Sequence, residues 1–121
     1  MSRTSACRTR VGLSETATKV VVITTTFPTY AVAEQMACTL VEQKMAACVQ
    51  ITGPIQSIYY WEESVKIESE YSVKIKIGAS RLNEVVDFLK SHHPYELPQI
   101  VWETVQATAE FSQWVDRQGG C

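Results

Sequence analysis

Apolar and polar residues alternate almost without a break from Val65 to Ile77. Val65, Ile67, Ser69, Tyr71, Val73, Ile75 and Ile77 share one side, and Lys66, Glu68, Glu70, Ser72, Lys74 and Lys76 share the other. A period of two over that length predicts a strand with one apolar face. Cys48 to Trp61 is also strand-like, but Val49 and Ile51 keep one phase while Ile58 and Tyr60 keep the other. Gly53-Pro54 lies between them, and a bulge or kink there accounts for the change of phase. Glu62-Glu63-Ser64 is short enough to join the two strands as a hairpin.

The remaining elements follow from the same pattern. Lys19 to Thr26 is a β-branched run, apolar on both faces at first, as a buried central strand requires. Pro28 marks the start of a helix, where a missing N–H does no harm. Ala33, Met36, Ala37, Leu40 and Val41 recur at helical spacing, and that helix is expected to end near Ala46 or Ala47. Ser80 is placed to cap a second helix with a buried stripe of Leu82, Val85, Val86 and Leu89, which Pro94 must stop. Gln99 to Val105 predicts a fourth strand with Pro98 at its entrance, and Phe111, Trp114 and Val115 predict a short last helix ended by Gly119-Gly120. The order β-α-β-β-α-β-α points to an α+β, ferredoxin-like βαββαβ fold with a long hairpin and an extra C-terminal helix. Residues 1–18 are expected to be a disordered polar tail, 19–118 the folded domain and 119–121 a short extension.

The hairpin strands run to about a dozen residues each, against a usual strand of about 5–6. Two ordinary helices cannot cover such a ribbon, so Ile58, Tyr60, Trp61, Val65 and Ile67 are expected to be left exposed at its far end. Uncovered apolar strands recruit another chain. An oligomer built through this hairpin is therefore expected.

Composition narrows the function. The 121 residues carry a net charge of −2, which argues against nucleic acid as a partner. No apolar run approaches a membrane span. The start is rich in Arg and Ser without an apolar segment, so it does not read as a secretory signal, although an organelle transit peptide has similar composition. Cys7, Cys38, Cys48 and Cys121 are scattered, without a C-x-x-C pair. That pattern suits reduced thiols in a cytoplasmic protein better than a zinc site or a disulfide framework. Spacing alone pairs no Ser or Cys nucleophile with a base, and no glycine-rich loop is present to cradle phosphate. No catalytic residue is assigned.

Taken together, Val20-Val21-Val22-Ile23, Ala46-Ala47-Cys48-Val49, Tyr59-Tyr60-Trp61-Glu62, Glu68-Ser69-Glu70, Ile75-Lys76, Ser91-His92-His93-Pro94-Tyr95-Glu96 and Trp114 resemble the CutA divalent-cation-tolerance family. The resemblance covers residues 19 to about 118. It implies a tight homotrimer through the hairpin and C-terminal segment, a non-enzymatic role in tolerance of divalent metal ions, and no obligatory cofactor. The ion such a protein would take is Cu(II) or another divalent cation. The trimer of that family also resembles the PII signalling proteins, which bind small effectors between subunits, and this supplies the alternative function. Thr24 stands where some members carry a cysteine implicated in copper binding with the paired histidines. Lys76-Ile77, Thr104-Val105 and the loop Gln106-Ala107-Thr108-Ala109 also depart from the family pattern.

Two groups of residues are candidates for chemistry. His92 and His93 are adjacent at a helix end, and neutral imidazole suits Cu(II), Zn(II) and Ni(II). Neighbouring helical side chains diverge by about 100°, so a frayed turn or a second subunit is needed for both to reach one ion. The plainer role is a C-terminal histidine stabilised by the helix dipole. The resemblance also places Trp61, Glu70, Lys76, Tyr95 and Glu96 around a cleft between subunits, beside His93. A carboxylate, an ammonium, an imidazole and aromatic walls would bind an anion or another small molecule. The plainer alternative is a solvated strand face with weak cross-strand ion pairs.

Overall fold

The computed structural model describes residues 18–118. The elements are β1 (Lys19–Phe27), α1 (Tyr30–Glu42), β2 (Cys48–Trp61), β3 (Ser64–Ile77), α2 (Leu82–His92), β4 (Val101–Gln106) and α3 (Ala109–Gln118). The four strands form one antiparallel sheet in the order β2-β3-β1-β4. That is the ferredoxin-like arrangement, with both hairpin strands on one side of β1. Residues 1–17 and 119–121, with Cys7, Cys121 and the expected Gly119-Gly120 stop, lie outside the described residues. Thr18 belongs to the fold and not to the tail, since its carbonyl accepts from the Ala107 N–H at 2.7 Å.

The sheet has a core on each face. Val21, Ile23 and Phe27 of β1 and Val73, Ile75 and Ile77 of β3 pack under Ala33, Met36 and Leu40 of α1 and Val85 and Leu89 of α2. The alternate residues Val20 and Val22 point the other way and meet Val115 of α3, with Phe111 and Trp114 around it. Ser112 Oγ ties α3 down by donating to the Lys19 carbonyl at 3.1 Å. The helices are therefore divided two and one between the faces, and α3 covers only the end of its face where β1 begins.

Local chemistry explains where the elements stop. Thr29 caps α1, its Oγ1 accepting from the Val32 N–H at 3.2 Å. α1 ends at Glu42, short of the expected Ala46 or Ala47. Lys44 adopts a left-handed φ of 61°. Its N–H donates to the Val41 carbonyl and the Met45 N–H to the Leu40 carbonyl. This is the paired closure of a Schellman motif, with buried Met45 and Leu40 as its apolar contact. A lysine in place of the usual glycine hid this stop. Ser80 does not cap α2. It lies within a 3-10 turn (Ala79–Arg81) that leads into the helix, and no side chain caps the first turn. At the other end His93 is extended (ψ 138°), as the residue before a proline must be, and α2 stops at His92. β4 begins at Val101, later than the expected Gln99.

The hairpin has the expected length and the expected irregularity. The pairing of β2 with β3 shifts register between Thr52 and Ile55, at Gly53-Pro54, whose peptide bond is cis. Glu62 and Glu63 both have positive φ, forming a two-residue turn that pairs Trp61 with Ser64. Beyond the shift, Ile58 opposes Ile67 and Tyr60 opposes Val65. These four are 61–70% exposed, so the chain by itself leaves them uncovered. Trp61 differs from expectation. It is half-buried and belongs to the opposite face, with Ser57 and Tyr59.

Candidate functional site

Three segments meet on the face of the sheet that α3 leaves open. The end of β1 brings Thr26, while its neighbours Thr25 and Phe27 point to the opposite face, under α1 and α2. The middle of the hairpin brings Ser57, Tyr59, Trp61, Glu68 and Glu70. The corner after α2 brings Tyr95, Glu96, Leu97 and Gln99, with His93 anchored behind them on Phe27 and Thr25. The corner is built by Pro94, which turns the chain away from the helix axis at His93.

His93 is the bracket of the corner. Its ring stacks on Phe27 with centroids 4.5 Å apart and planes 14° from parallel. The Tyr95 N–H donates to Nδ1 at 3.2 Å, which leaves the imidazole proton on Nε2, and Nε2–H donates to Thr25 Oγ1 at 3.0 Å. Burial holds this imidazole below its ordinary pKa, while the backbone of Thr26 and the charge of Glu70 pull the other way. His93 therefore binds fewer protons in the folded chain than in the unfolded one. Stability should fall as pH drops from the ordinary imidazole range to the folded value and level off below it. A His93→Asn variant is expected to show a flatter melting profile between about pH 7 and pH 5, measured by circular dichroism. The same slope in both proteins would rule out His93 as its source.

The bracket aims Tyr95 at Glu70. The Tyr95 hydroxyl donates to Glu70 Oε2 at 2.6 Å. Thr26 Oγ1 donates to the same oxygen at 3.2 Å, and Ser57 Oγ donates to Oε1 at 2.6 Å. Glu70 is thus a buried carboxylate held by three hydroxyls from three segments. Tyr95 is raised well above the ordinary phenol pKa, first by burial and then by its bond to Glu70. Nearby, the Tyr59 hydroxyl donates to Glu68 Oε1 at 2.8 Å, and this bond raises the Tyr59 phenol as well.

These side chains line a cavity of about 550 Å³ with Trp61, Glu96, Leu97 and Gln99. Four of the five sequence-predicted cleft residues, Trp61, Glu70, Tyr95 and Glu96, are brought together there. Lys76 is not. It shares the strand face with Glu70 but lies six residues further along, roughly 20 Å at the usual rise. Its Nζ sits 5.9 Å from the centre of the Phe111 ring, under α3. The sequence pattern missed Thr26, Ser57, Tyr59 and Glu68. The turn at Glu62-Glu63 carried the signal for the hairpin residues, because it fixes the register in which Ser57 opposes Glu68.

The two histidines part company. His92 stacks on Phe88 with centroids 4.2 Å apart, and its Nδ1 donates to the Phe88 carbonyl at 2.9 Å. The ring is exposed, and Nε2 keeps its lone pair. Thr24, at the position of the family cysteine, points to the opposite side of β1 from Thr25, which holds His93. Among the described residues no group of three His, Cys, Asp or Glu side chains is placed to hold a metal ion.

A profile of the CutA1 divalent ion tolerance protein family matches residues 21–118. This chain belongs to that family. A CutA homologue from Encephalitozoon cuniculi, described as a probable divalent-cation tolerance protein, is 36% identical over 95 residues, covering 78% of this chain and 82% of its own. The CutA structure from Synechococcus elongatus is 34% identical with a TM-score of 0.78, covering 84% of this chain and 90% of that one. The CutA structure from Archaeoglobus fulgidus, described as periplasmic, is 33% identical with a TM-score of 0.79, covering 83% and 98%. The four-stranded sheet and three helices are thus the CutA fold. No helix among the described residues is long and apolar enough to cross a membrane.

Proposed function

We propose that this CutA-family chain works without catalysis as a cytoplasmic homotrimer that contributes to divalent-cation tolerance and binds Cu(II) or a similar ion weakly. The observation that carries the metal site is the hold on His92. A carbonyl fixes its Nδ1 proton and turns an exposed Nε2 lone pair outward, the arrangement that prepares an imidazole for a metal. His93 would have to give up its bond to Thr25 or to the Tyr95 N–H before joining it. One imidazole from each subunit binds loosely, in keeping with weak affinity. The thiols of Cys38 and Cys48 are free, which suits a reducing compartment. Titration calorimetry with Cu(II) tests the site. His92→Ala should weaken binding at least tenfold and His93→Ala less, whereas equal binding by wild type and His92→Ala would remove it.

A second function is favoured by a separate observation. Glu70, fixed by three hydroxyls beside a cavity of small-molecule size, is the kind of preorganised polar group that marks a ligand site. The chain would then sense an effector bound near the hairpin.

A further inference from the structure

We propose that the cavity beside Glu70 receives a small organic cation with N–H donors, a primary amine or a guanidinium, in place of an anion or a bare metal ion. This rests on the cavity being a ligand site.

The first argument is charge. Glu68, Glu70 and Glu96 all line the cavity, and no lysine or arginine does. None of the three carboxylates forms an ion pair among the described residues. Lys66 shares their strand face without lining the cavity, Lys74 Nζ is engaged with Thr24 Oγ1 at 3.5 Å, and Lys76 is under α3.

The second argument is hydrogen-bond capacity. The hydroxyls of Thr26, Ser57, Tyr59 and Tyr95 already donate to carboxylates, so their protons are spent. A carboxylate has about four acceptor positions. Glu70, only 8% exposed, fills three of them and keeps one on Oε1, while Glu68 fills one through Tyr59. Glu96 has no hydrogen-bond or ion-pair partner among the described residues. Among the lining side chains only the Trp61 indole N–H and the Gln99 amide can still offer a side-chain donor outright. The walls therefore present surplus acceptors and negative charge, and they ask for donors and positive charge.

The third argument is shape. Trp61, Tyr59 and Tyr95 add π faces, which attract organic cations. A volume of about 550 Å³ suits a small molecule, and the carboxylates are spread around it without closing on one point.

Calorimetry on the full chain in its native assembly, at low salt, tests this with three probes of similar length: agmatine, glutarate and neutral pentanamide. Agmatine should bind saturably, glutarate and pentanamide should not, and agmatine affinity should fall at least tenfold in Glu68→Gln and in Glu96→Gln. Both positions are exposed, so the variants should melt like the parent. Binding of glutarate or pentanamide with no binding of agmatine would overturn the charge assignment while leaving a ligand site. Binding of none of the three would overturn the cavity as a ligand site and this proposal with it. Agmatine affinity unchanged in both variants would place the cation elsewhere.

Discussion

Replacing Ile58 and Ile67 together by lysine should turn the homotrimer proposed above into folded single chains, read by sedimentation at micromolar concentration. The two residues face each other across the hairpin and are 65% and 61% exposed in the subunit. Tyr60 and Val65 extend the strip towards the turn. The subunit core does not depend on any of them, since it is made by Val73, Ile75 and Ile77 nearer the helices. The substitution therefore acts on association and leaves the fold. Burying an isoleucine contributes about 1.5–3 kcal/mol. Even the lower figure, taken once for each residue, sums to about 3 kcal/mol, more than a hundredfold in a dissociation constant. Burying lysines in their place adds a desolvation cost in the same direction. The far-ultraviolet spectrum should keep its strand content, while the melting temperature should drop because association no longer stabilises the folded state. A double variant that sediments like the parent would show that the ribbon is not where the copies meet.

The hairpin was legible because a two-residue period survives any tertiary context that leaves one face uncovered. The shift at Gly53-Pro54 was legible for the same reason, since Ile51 and Ile58 sit out of phase by one residue. Helix ends were harder to read. Lys44 takes a conformation normally left to glycine, and the apolar pair Leu40–Met45 that favours it is recognisable only once the turn is known. Ser80 has the chemistry of a cap, but a 3-10 turn put it one position too early. The half-burial of Trp61 depended on which way the strand faced after the bulge.

At the candidate site, a strand face seen in sequence has no length scale across it. Glu70 and Lys76 look alike in phase, yet α3 covers one and the corner at Tyr95 covers the other. Removing Lys76 from the cleft changes the chemistry expected there from mixed charge to negative. The paired histidines misled in a related way. Their adjacency suggested joint action, but Pro94 sends His93 under Phe27 and leaves His92 on the helix.

Glu70→Ala should be the most damaging single change on the open face, at about 3 kcal/mol, or roughly 12 °C or more in a domain of this size. Its carboxylate is the one acceptor shared by Thr26, Ser57 and Tyr95, so its removal unties β1, β2 and the corner from β3 together. Hydrogen bonds to a charged group are each worth about 1.5–3 kcal/mol, but water can enter the cavity and answer some of the loss, which keeps the total below their sum. Glu70→Gln retains one oxygen and should cost only about 1 kcal/mol, provided the amide N–H₂ can turn towards the cavity. The phenol of Tyr95 reports on the same change. Its pKa is raised first by burial and second by Glu70, so in Glu70→Gln it should ionise earlier than in the parent while staying above an ordinary tyrosine. Thermal melts and ultraviolet absorbance titration measure the two effects separately. If Glu70→Ala melts with the parent, the hydroxyls have found other acceptors and the carboxylate does not hold the corner. If melting falls but Tyr95 is unmoved in Glu70→Gln, burial alone raises the phenol, and the bond between them carries little of the coupling.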